Sequence, residues 1–228
     1  MIKKQLFILS LGGSVIIPDE IDTKFLNNFK KLILEQINIG HKFIIITGGG
    51  MVCRKYQQAL KLLSQPKNND LDWLGIQSTW LNAKLVQLMF GEFAHNRLVS
   101  NPNVKIPTNK KILLAGGWMP GCSTDKDAIL MAKTYGAKTV INLSNIDFLY
   151  NKDPRKFKDA KKITKLSWTE LLKITGAKWT PGANLPFDPI AGKLAKKENI
   201  KVIIANGKNL KNLKNILENK EFIGSIIE

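Results

Sequence analysis

The chain has 228 residues, 44% of them hydrophobic, which is ordinary for a globular protein and enough to build a buried core. Its formal net charge of +17 comes from 35 basic and 18 acidic residues spread along the chain, which favours solvated lysine-rich faces over a nucleic-acid groove. No apolar run approaches the roughly 18–20 residues of a membrane helix, and two cysteines alone exclude a disulfide framework or a zinc pattern. We therefore expect a cytoplasmic protein without nucleic-acid or membrane partners, whose positive field favours anionic small molecules.

Short apolar strands alternate with amphipathic helices along the chain. The predicted strands are β-branched and continuously apolar, a pattern typical of strands buried on both faces of a sheet. They cover residues 5–10, 43–47, 112–115, 139–143 and 201–205.

The helices are predicted from apolar residues at helical spacing. They cover residues 22–38, 52–63, 71–90, 128–135, 167–174, 188–198 and 209–219, with a polar hairpin in residues 147–165. We expect Asp22 to cap the first helix, and Thr124 with Asp127 to form a capping box before the fourth. Repeated alternation of strand and helix predicts a single domain over residues 1–228, an α/β three-layer αβα sandwich with a mainly parallel central sheet.

Three of the predicted strands end in glycine-rich turns that lead towards helices: Gly12-Gly13, Gly48-Gly49-Gly50 and Gly116-Gly117. Glycine allows the backbone to approach a ligand closely, and a helix N-terminus offers free N–H groups and a positive dipole end to a phosphate. In a parallel sheet all three turns lie at the same edge, which predicts an anion site wide enough for more than one phosphate group. Ordinary tight turns are the alternative at each position.

Further residues follow these turns in an order that resembles the amino-acid-kinase superfamily, and within it the archaeal-type UMP kinases. The resemblance covers nearly the whole chain and rests on the motif at 11–15, the turn at 48–50 with Arg54, Asp72 and Gly75 before Asn82, the segment 116–125, Asn145, Asp147, Tyr150, Asp153-Pro154, Asp188-Pro189, Lys193 and the terminal 224–227. It implies transfer of the γ-phosphoryl group of ATP to UMP, giving UDP and ADP in pyrimidine nucleotide synthesis. It also implies Mg²⁺ as a cofactor and a homo-oligomer, usually a hexamer.

The resemblance also implies roles for individual residues. Phosphoryl transfer is assigned to Asp188, Lys193, Gly12 and Gly13. ATP binding is assigned to Ser14, Asn145, Asp147, Tyr150, Asp153 and Pro154. UMP binding is assigned to Gly49, Gly50, Arg54, Asp72, Gly117, Trp118, Thr124 and Asp125.

Structural alternatives remain open for several of these residues. Arg54 could be a surface arginine, and Tyr150 could be a core residue. Asp72 could be an acidic residue that, like nearby Asp70, only stabilises the helix N-terminus. Asp188 and Lys193 lie five positions apart, about one and a half helical turns, so both face one cleft only if Asp188 starts its helix. Pro189 as the first helical residue favours that arrangement.

The chemistry needs no general base, because the attacking phosphate oxygen is already ionised at neutral pH. Positioning and charge neutralisation by glycine turns, Arg54, Lys193 and Mg²⁺ are what phosphoryl transfer requires. His41 and His95 lie outside every motif, and we expect both on the surface.

The chain departs from the superfamily pattern at several positions. Ser10 stands where many relatives carry lysine, Trp118 and Met119 are bulky in the third turn, and Phe148 replaces a glycine. The stretch 179–184 is also unusual. These changes touch the predicted nucleotide pockets, so they bear on acceptor identity more than on phosphoryl transfer.

Two other functions stay open. One is a superfamily kinase for an isoprenoid phosphate, carbamate or an acidic amino acid, although Met51, Val52 and Cys53 occupy the stretch where the isoprenoid-phosphate branch carries a histidine. The other is a non-catalytic protein that binds a nucleotide or anion on the same fold. The presence of both Asp188 and Lys193 argues against the second alternative.

Overall fold

The computed structural model describes residues 4–154, 156–176 and 187–228. The helices, in chain order, are α1 (Gly13–Ile16), α2 (Thr23–Asn38), α3 (Gly50–Leu63), α4 (Asn68–Phe90), α5 (Thr124–Tyr135), α6 (Trp168–Thr175), α7 (Pro189–Lys197) and α8 (Leu210–Leu217), with a 3₁₀ turn at Gly91–Phe93. The strands are β1 (Leu6–Leu11), β2 (Lys42–Thr47), β3 (Ile112–Ala115), β4 (Thr139–Ser144), β5 (Leu149–Tyr150), β6 (Lys162–Ile163), β7 (Lys165–Leu166), β8 (Lys201–Asn206) and β9 (Ser225–Ile227). The unusual stretch at 179–184 lies outside the described residues.

The central sheet has seven strands in the order β3-β2-β1-β4-β8-β9-β7. Strands β1, β2, β3, β4 and β8 are parallel to one another, β9 is antiparallel to β8, and β7 is parallel to β9. The five strands predicted from sequence form the parallel part, so the predicted α/β class with a mainly parallel sheet is confirmed.

Two hydrophobic clusters cover the two faces of the sheet. Successive residues of β1 alternate between them: Phe7, Leu9 and Leu11 join the cluster formed with α2, α4 and α8, whereas Ile8 joins the cluster formed with α5, α6 and α7. Helices on both sides of one sheet make three layers. This arrangement leaves the carboxyl edge of the parallel strands as the place where turns from several strands meet.

The helix starts agree with the predictions at α2 and differ at α5. Asp22 caps α2 by accepting the Phe25 N–H at 2.8 Å. At α5 the cap is Ser123, which has extended backbone and accepts the Lys126 N–H at 3.2 Å, while Thr124 is the first helical residue. The predicted capping box of Thr124 with Asp127 is therefore wrong: the cap is the adjacent hydroxyl residue, Ser123, and the third helical residue is Lys126.

His41 is buried, so its expected surface position is wrong. It accepts the Gln5 N–H at Nδ1 over 3.1 Å, and its ring meets the Phe7 ring edge-on at 5.0 Å between centroids. The turn after α2 places the imidazole against the beginning of β1. Burial lowers the pKa of His41.

The polar hairpin predicted in residues 147–165 is confirmed as the antiparallel pair β5–β6. The Leu149 N–H donates to the Ser225 Oγ at 2.8 Å, and that hydroxyl donates to the Ile163 carbonyl at 2.5 Å, which ties the hairpin to β9. In the part of the chain that the structure describes, no helix has both the length and the apolarity needed to cross a bilayer.

Candidate active site

The turns after β1 and β2 are in direct backbone contact. A Cβ atom at Gly13 would lie 2.0 Å from the Gly50 nitrogen, and one at Gly50 would lie 2.5 Å from the Gly13 carbonyl oxygen. Gly50 also has φ +64°, a conformation that side chains disfavour. Both positions therefore require glycine, and their contact brings the starts of α1 and α3 side by side.

Helix α4 orients the turn after β2. The Asn82 side chain is buried and donates to the carbonyl oxygens of Gly48 at 2.7 Å and Gly49 at 3.3 Å. With these carbonyls held against α4, the shape of the second turn is fixed before any ligand binds.

The turn after β3 is held by the same helix. The Gly117 N–H donates to the Thr79 hydroxyl at 2.6 Å, and the Trp80 indole N–H donates to the Gly117 carbonyl at 2.8 Å. Both polar backbone groups of Gly117 are thus engaged with α4. Any contact of Gly117 with a phosphate through its N–H would have to replace the Thr79 hydrogen bond.

Asp70 and Asp72 have different roles at the start of α4. Asp70 accepts the Lys67 N–H at 2.9 Å and so belongs to the cap of the helix. Asp72 instead accepts the Gly121 N–H at 2.9 Å, which links α4 to the segment between β3 and α5. Asp70 is therefore the residue that only stabilises the helix N-terminus, and Asp72 lies beside the segment after the third turn.

Asp125 and Asp188 form a hydrogen-bonded network between α5, α7 and β4. Asp188 caps α7, accepting the Ile190 N–H at 2.7 Å and the Ser123 hydroxyl. Asp125 accepts the Asp188 N–H at 3.2 Å and the Asn142 side-chain amide at 2.7 Å. Asp188 at the start of its helix, followed by Pro189, confirms the predicted local structure there.

The pKa of Asp125 is raised to about 7, mainly by burial and also by the nearby Asp188 carboxylate, against hydrogen bonds from the Asp188 N–H and Asn142. Burial likewise raises the pKa of Asp127 to about 7, against a hydrogen bond from the Trp118 N–H and the charge of Lys126. Carboxyl groups with strongly perturbed pKa values mark candidate functional sites. Their location beside the glycine turns supports an active site at this edge of the sheet.

The residues predicted to bind ATP lie on and around the β5–β6 hairpin, apart from Ser14 in α1. Asn145 and Asp147 are exposed in the loop after β4, and Tyr150 is half-buried in β5, opposite Lys162. Asp153 begins a turn in which its carbonyl accepts the Phe157 N–H at 3.0 Å. Pro154, next in the chain, is exposed.

Arg54 and Lys193 are the cationic residues that we predict to contact phosphates. Arg54 lies in the first two turns of α3 and Lys193 in α7, and both side chains are exposed. Ser10 is buried in β1, and its neighbour in the sheet register on one side is Asn142. The contacts of these cations with a nucleotide stay a prediction.

Sequence reasoning missed the roles of Ser123, Asn142 and Asp127. Asn142 did carry a signal, because a lone amide inside an apolar strand needs a polar partner. Ser123 and Asp127 stand beside residues assigned to the site, but their partners, Asp188 and the Trp118 N–H, are contacts between separate segments.

The comparisons with known proteins agree with this geometry. Residues 5–206 match the amino acid kinase family. A uridylate kinase from Thermoplasma volcanium is 36% identical over 225 residues, covering 97% of this chain and 96% of the relative. A uridylate kinase from Sulfolobus acidocaldarius is 32% identical over 214 residues, covering 92% of this chain and 93% of the relative.

Solved structures show the same fold. The uridylate kinase from Archaeoglobus fulgidus superposes with a TM-score of 0.83 at 27% identity, covering 99% of this chain and 100% of that one. The UMP kinase from Bacillus anthracis superposes with a TM-score of 0.78 at 19% identity, covering 99% and 96%, which supports the fold alone. The fold, the glycine turns at one sheet edge and the full-length similarity agree, and the chain belongs to the amino acid kinase family.

Proposed function

We propose that the protein is a UMP kinase, which transfers the γ-phosphoryl group of ATP to UMP and releases UDP and ADP in pyrimidine nucleotide synthesis. The observation that carries this proposal is the backbone contact of Gly13 with Gly50, which brings two phosphate-binding turns side by side. Two adjacent anion sites are what transfer between two phosphates needs. The curated relatives named uridylate kinase support UMP as the acceptor.

On the acceptor side, the UMP phosphate binds at Gly49 and Gly50, and Arg54, about one turn into α3, adds a planar fork of donors that suits a phosphate. Asp72 accepts hydrogen bonds from the ribose. The uracil end lies towards Gly117 and Trp118, with Thr124 and Asp125 at the start of α5.

On the donor side, the loop and hairpin residues Asn145, Asp147, Tyr150, Asp153 and Pro154 surround the adenosine of ATP. The transferring phosphoryl group binds at Gly12, Gly13 and Ser14. Lys193 neutralises negative charge on the phosphates, and Asp188 organises the start of α7 through its hydrogen bonds to Ser123 and Ile190. The acceptor phosphate is its own nucleophile, so these residues act by positioning and by charge compensation.

Phosphoryl transfer implies a Mg²⁺ ion, which we expect to bind together with the nucleotide. No group of three or more His, Cys, Asp or Glu residues within 4–154, 156–176 and 187–228 is arranged to hold a metal ion. Mg²⁺ commonly keeps several water molecules and binds through substrate phosphates, so the phosphates of ATP would be its main ligands. When bound, the ion neutralises charge on the phosphoryl groups.

We propose a cytoplasmic homo-oligomer, with a hexamer as the expected form. Helices α3 and α4 expose large apolar side chains, including Leu62 (82% exposed), Leu63 (84%), Leu81 (63%) and Leu88 (70%). Exposed apolar surface of this kind is typical of a protein–protein interface. Light scattering coupled to size-exclusion chromatography measures the mass, and a monomer at micromolar concentration would contradict this assembly.

The acceptor is identified by measuring ADP release in a coupled assay with UMP, CMP, AMP, GMP and isopentenyl phosphate. We expect UMP to give the highest kcat/KM. Asp188→Asn and Lys193→Ala should each lower kcat by at least about 100-fold, because both act where charge develops. Lys197→Ala, on the same helix and also exposed, is the matched control and should keep wild-type kcat.

Preference for a non-nucleotide acceptor would contradict the UMP assignment and indicate another kinase of the family. Absence of turnover with every acceptor, with intact ATP binding, would indicate a non-catalytic member.

A further inference from the structure

Asp127, in the first turn of α5, is a buried carboxyl group with an unusual hydrogen-bond pattern. Asp127 is only 1% exposed to solvent. Its Oδ2 accepts the Trp118 N–H at 3.1 Å, whereas its Oδ1 is buried without a hydrogen-bond partner among the described residues. Burying a partly satisfied carboxyl group is unfavourable, so its presence here calls for a compensating role.

The segment that Asp127 contacts leaves β3 and returns at α5; we call residues 116–123 the third loop. Helix α4 holds this loop from one side through Thr79 and Trp80 at Gly117 and through Asp72 at Gly121. Asp127 holds it from the opposite side, at Trp118. Asp127 therefore attaches the beginning of the loop to α5 at Trp118, whereas Ser123 attaches its end by capping the helix.

Asp127 is separated in function from its neighbour Asp125. Side chains two positions apart on a helix do not face each other, and Asp125 contacts Asn142 and the Asp188 N–H while Asp127 contacts the loop. The charged groups that act on Asp127 are Lys126, Asp125 and Asp188, all at the α5–α7 contact. Asp127 is thus hydrogen-bonded to the third loop at Trp118, whereas Asp125 is hydrogen-bonded to Asn142 and Asp188.

We propose that Asp127 is a positioning residue for the acceptor nucleotide, which acts by fixing Trp118 and with it the third loop against α5. This inference rests on the proposed function, in which the third loop meets the uracil end of UMP. Its effect is on acceptor affinity and on discrimination among nucleoside monophosphates. The β5–β6 hairpin, where ATP is proposed to bind, is attached to β9 through Ser225 instead.

The test compares three variants of the full chain by steady-state kinetics. Asp127→Ala removes the acceptor of the Trp118 N–H, and we expect KM for UMP to rise about tenfold, the equivalent of about 1.4 kcal/mol. We expect kcat and KM for ATP to stay within about twofold, and the preference for UMP over CMP to fall. Asp127→Asn keeps an oxygen for the Trp118 N–H and should keep KM for UMP within about threefold of wild type.

Met131→Ala is the matched control for lost packing in α5, because Met131 is fully buried one turn further along the helix, in the hydrophobic cluster on that face of the sheet. It should lower the melting temperature without raising KM for UMP. Equal increases in the KM values for UMP and ATP, or an unchanged KM for UMP in Asp127→Ala, would overturn the proposal. So would an Asn variant as impaired as the Ala variant.

Hydrogen exchange at the Trp118 amide separates this inference from the proposed function. It should accelerate in Asp127→Ala and stay near wild type in Asp127→Asn, whether or not any nucleotide is phosphorylated. A wild-type protein that phosphorylates no nucleotide would refute the proposed function, and with it the acceptor role of Asp127. Unchanged exchange in Asp127→Ala would refute the attachment of the loop itself.

Discussion

The acceptor side and the donor side of the proposed active site are held in very different ways. On the acceptor side, α4 and α5 attach the glycine turns and the third loop through Asn82, Thr79, Trp80 and Asp127, all partly or fully buried. On the donor side, the hairpin is a pair of two-residue strands attached to the sheet through Ser225. A two-stranded hairpin is marginally stable by itself.

In the proposed function, the acceptor and the donor therefore meet surfaces with different degrees of preorganisation. The acceptor side has its backbone groups fixed within the protein, which reduces the ordering needed when the acceptor binds. On the donor side Asn145, Asp147 and Pro154 are exposed around a short hairpin, and exposed segments of this kind open locally at low free-energy cost. Substitutions on the two sides should therefore affect the KM values of different substrates.

Gly13→Ala is expected to have the largest effect, because it acts where the two sides touch. The added Cβ would lie 2.0 Å from the Gly50 nitrogen, so the backbone of one turn must move. We expect kcat to fall at least about 100-fold. We also expect the free energy of unfolding to fall by about 1–3 kcal/mol or more. Gly192→Ala is the control, since its nearest contact is an ordinary 3.5 Å and alanine favours the helix. Wild-type activity in Gly13→Ala would show that the contact is not part of the site.

Ser225→Ala is expected to have a smaller effect, confined to the donor side. It removes the two hydrogen bonds that the Ser225 hydroxyl makes with the hairpin, at Leu149 and Ile163, and leaves the Leu149 N–H without its acceptor, a loss of about 1–3 kcal/mol locally. We expect KM for ATP to rise about five- to tenfold while KM for UMP changes less than twofold, the reverse of Asp127→Ala. Ser225→Thr keeps the hydroxyl and serves as the conservative variant. An increase in KM for UMP alone would contradict the assignment of the hairpin to the donor side.

The smallest expected effect on activity belongs to Asp127→Asn, which should change chiefly the pH dependence of stability. Burial raises the pKa of Asp127 to about 7, above its usual value of 3.8, so the folded state binds a proton more tightly than the unfolded state. Stability is therefore lost as pH rises from about 4 to about 7 and levels off above that range. Asp127→Asn removes this contribution, and the difference in unfolding free energy between variant and wild type should grow across this range. Urea denaturation at pH 5, 6, 7 and 8 measures it, and a constant difference would show that Asp127 does not titrate there.

The fold was largely predictable from the sequence because its signals are local. Continuous apolar runs mark β1, β2, β3, β4 and β8, and helical spacing of apolar residues marks the long helices. Strands β7 and β9 were not predicted, since two or three residues are too short for any period to show. His41 was misplaced because its burial depends on the packing of one segment against another.

The site was predictable only as a set of residues near one sheet edge. The glycine turns, Asp188 and Asp125 were predicted from spacing and resemblance. Their pairing was not, because the Asp188 N–H and the Asp125 carboxylate are 63 positions apart in the chain. The attachment of Trp118 to Asp127 involves a backbone amide, which every residue except proline has, so no residue type signals it.

Helix α4 has two faces with separate tasks, and the consequence is mechanical. One face holds two glycine turns through Asn82 and Thr79, and the other exposes Leu81 and Leu88 to solvent. A rigid helix transmits a shift of its outer face directly to its inner face, and a slide of one residue corresponds to about 1.5 Å. A partner that packed against these leucines and shifted α4 would therefore move both glycine turns together.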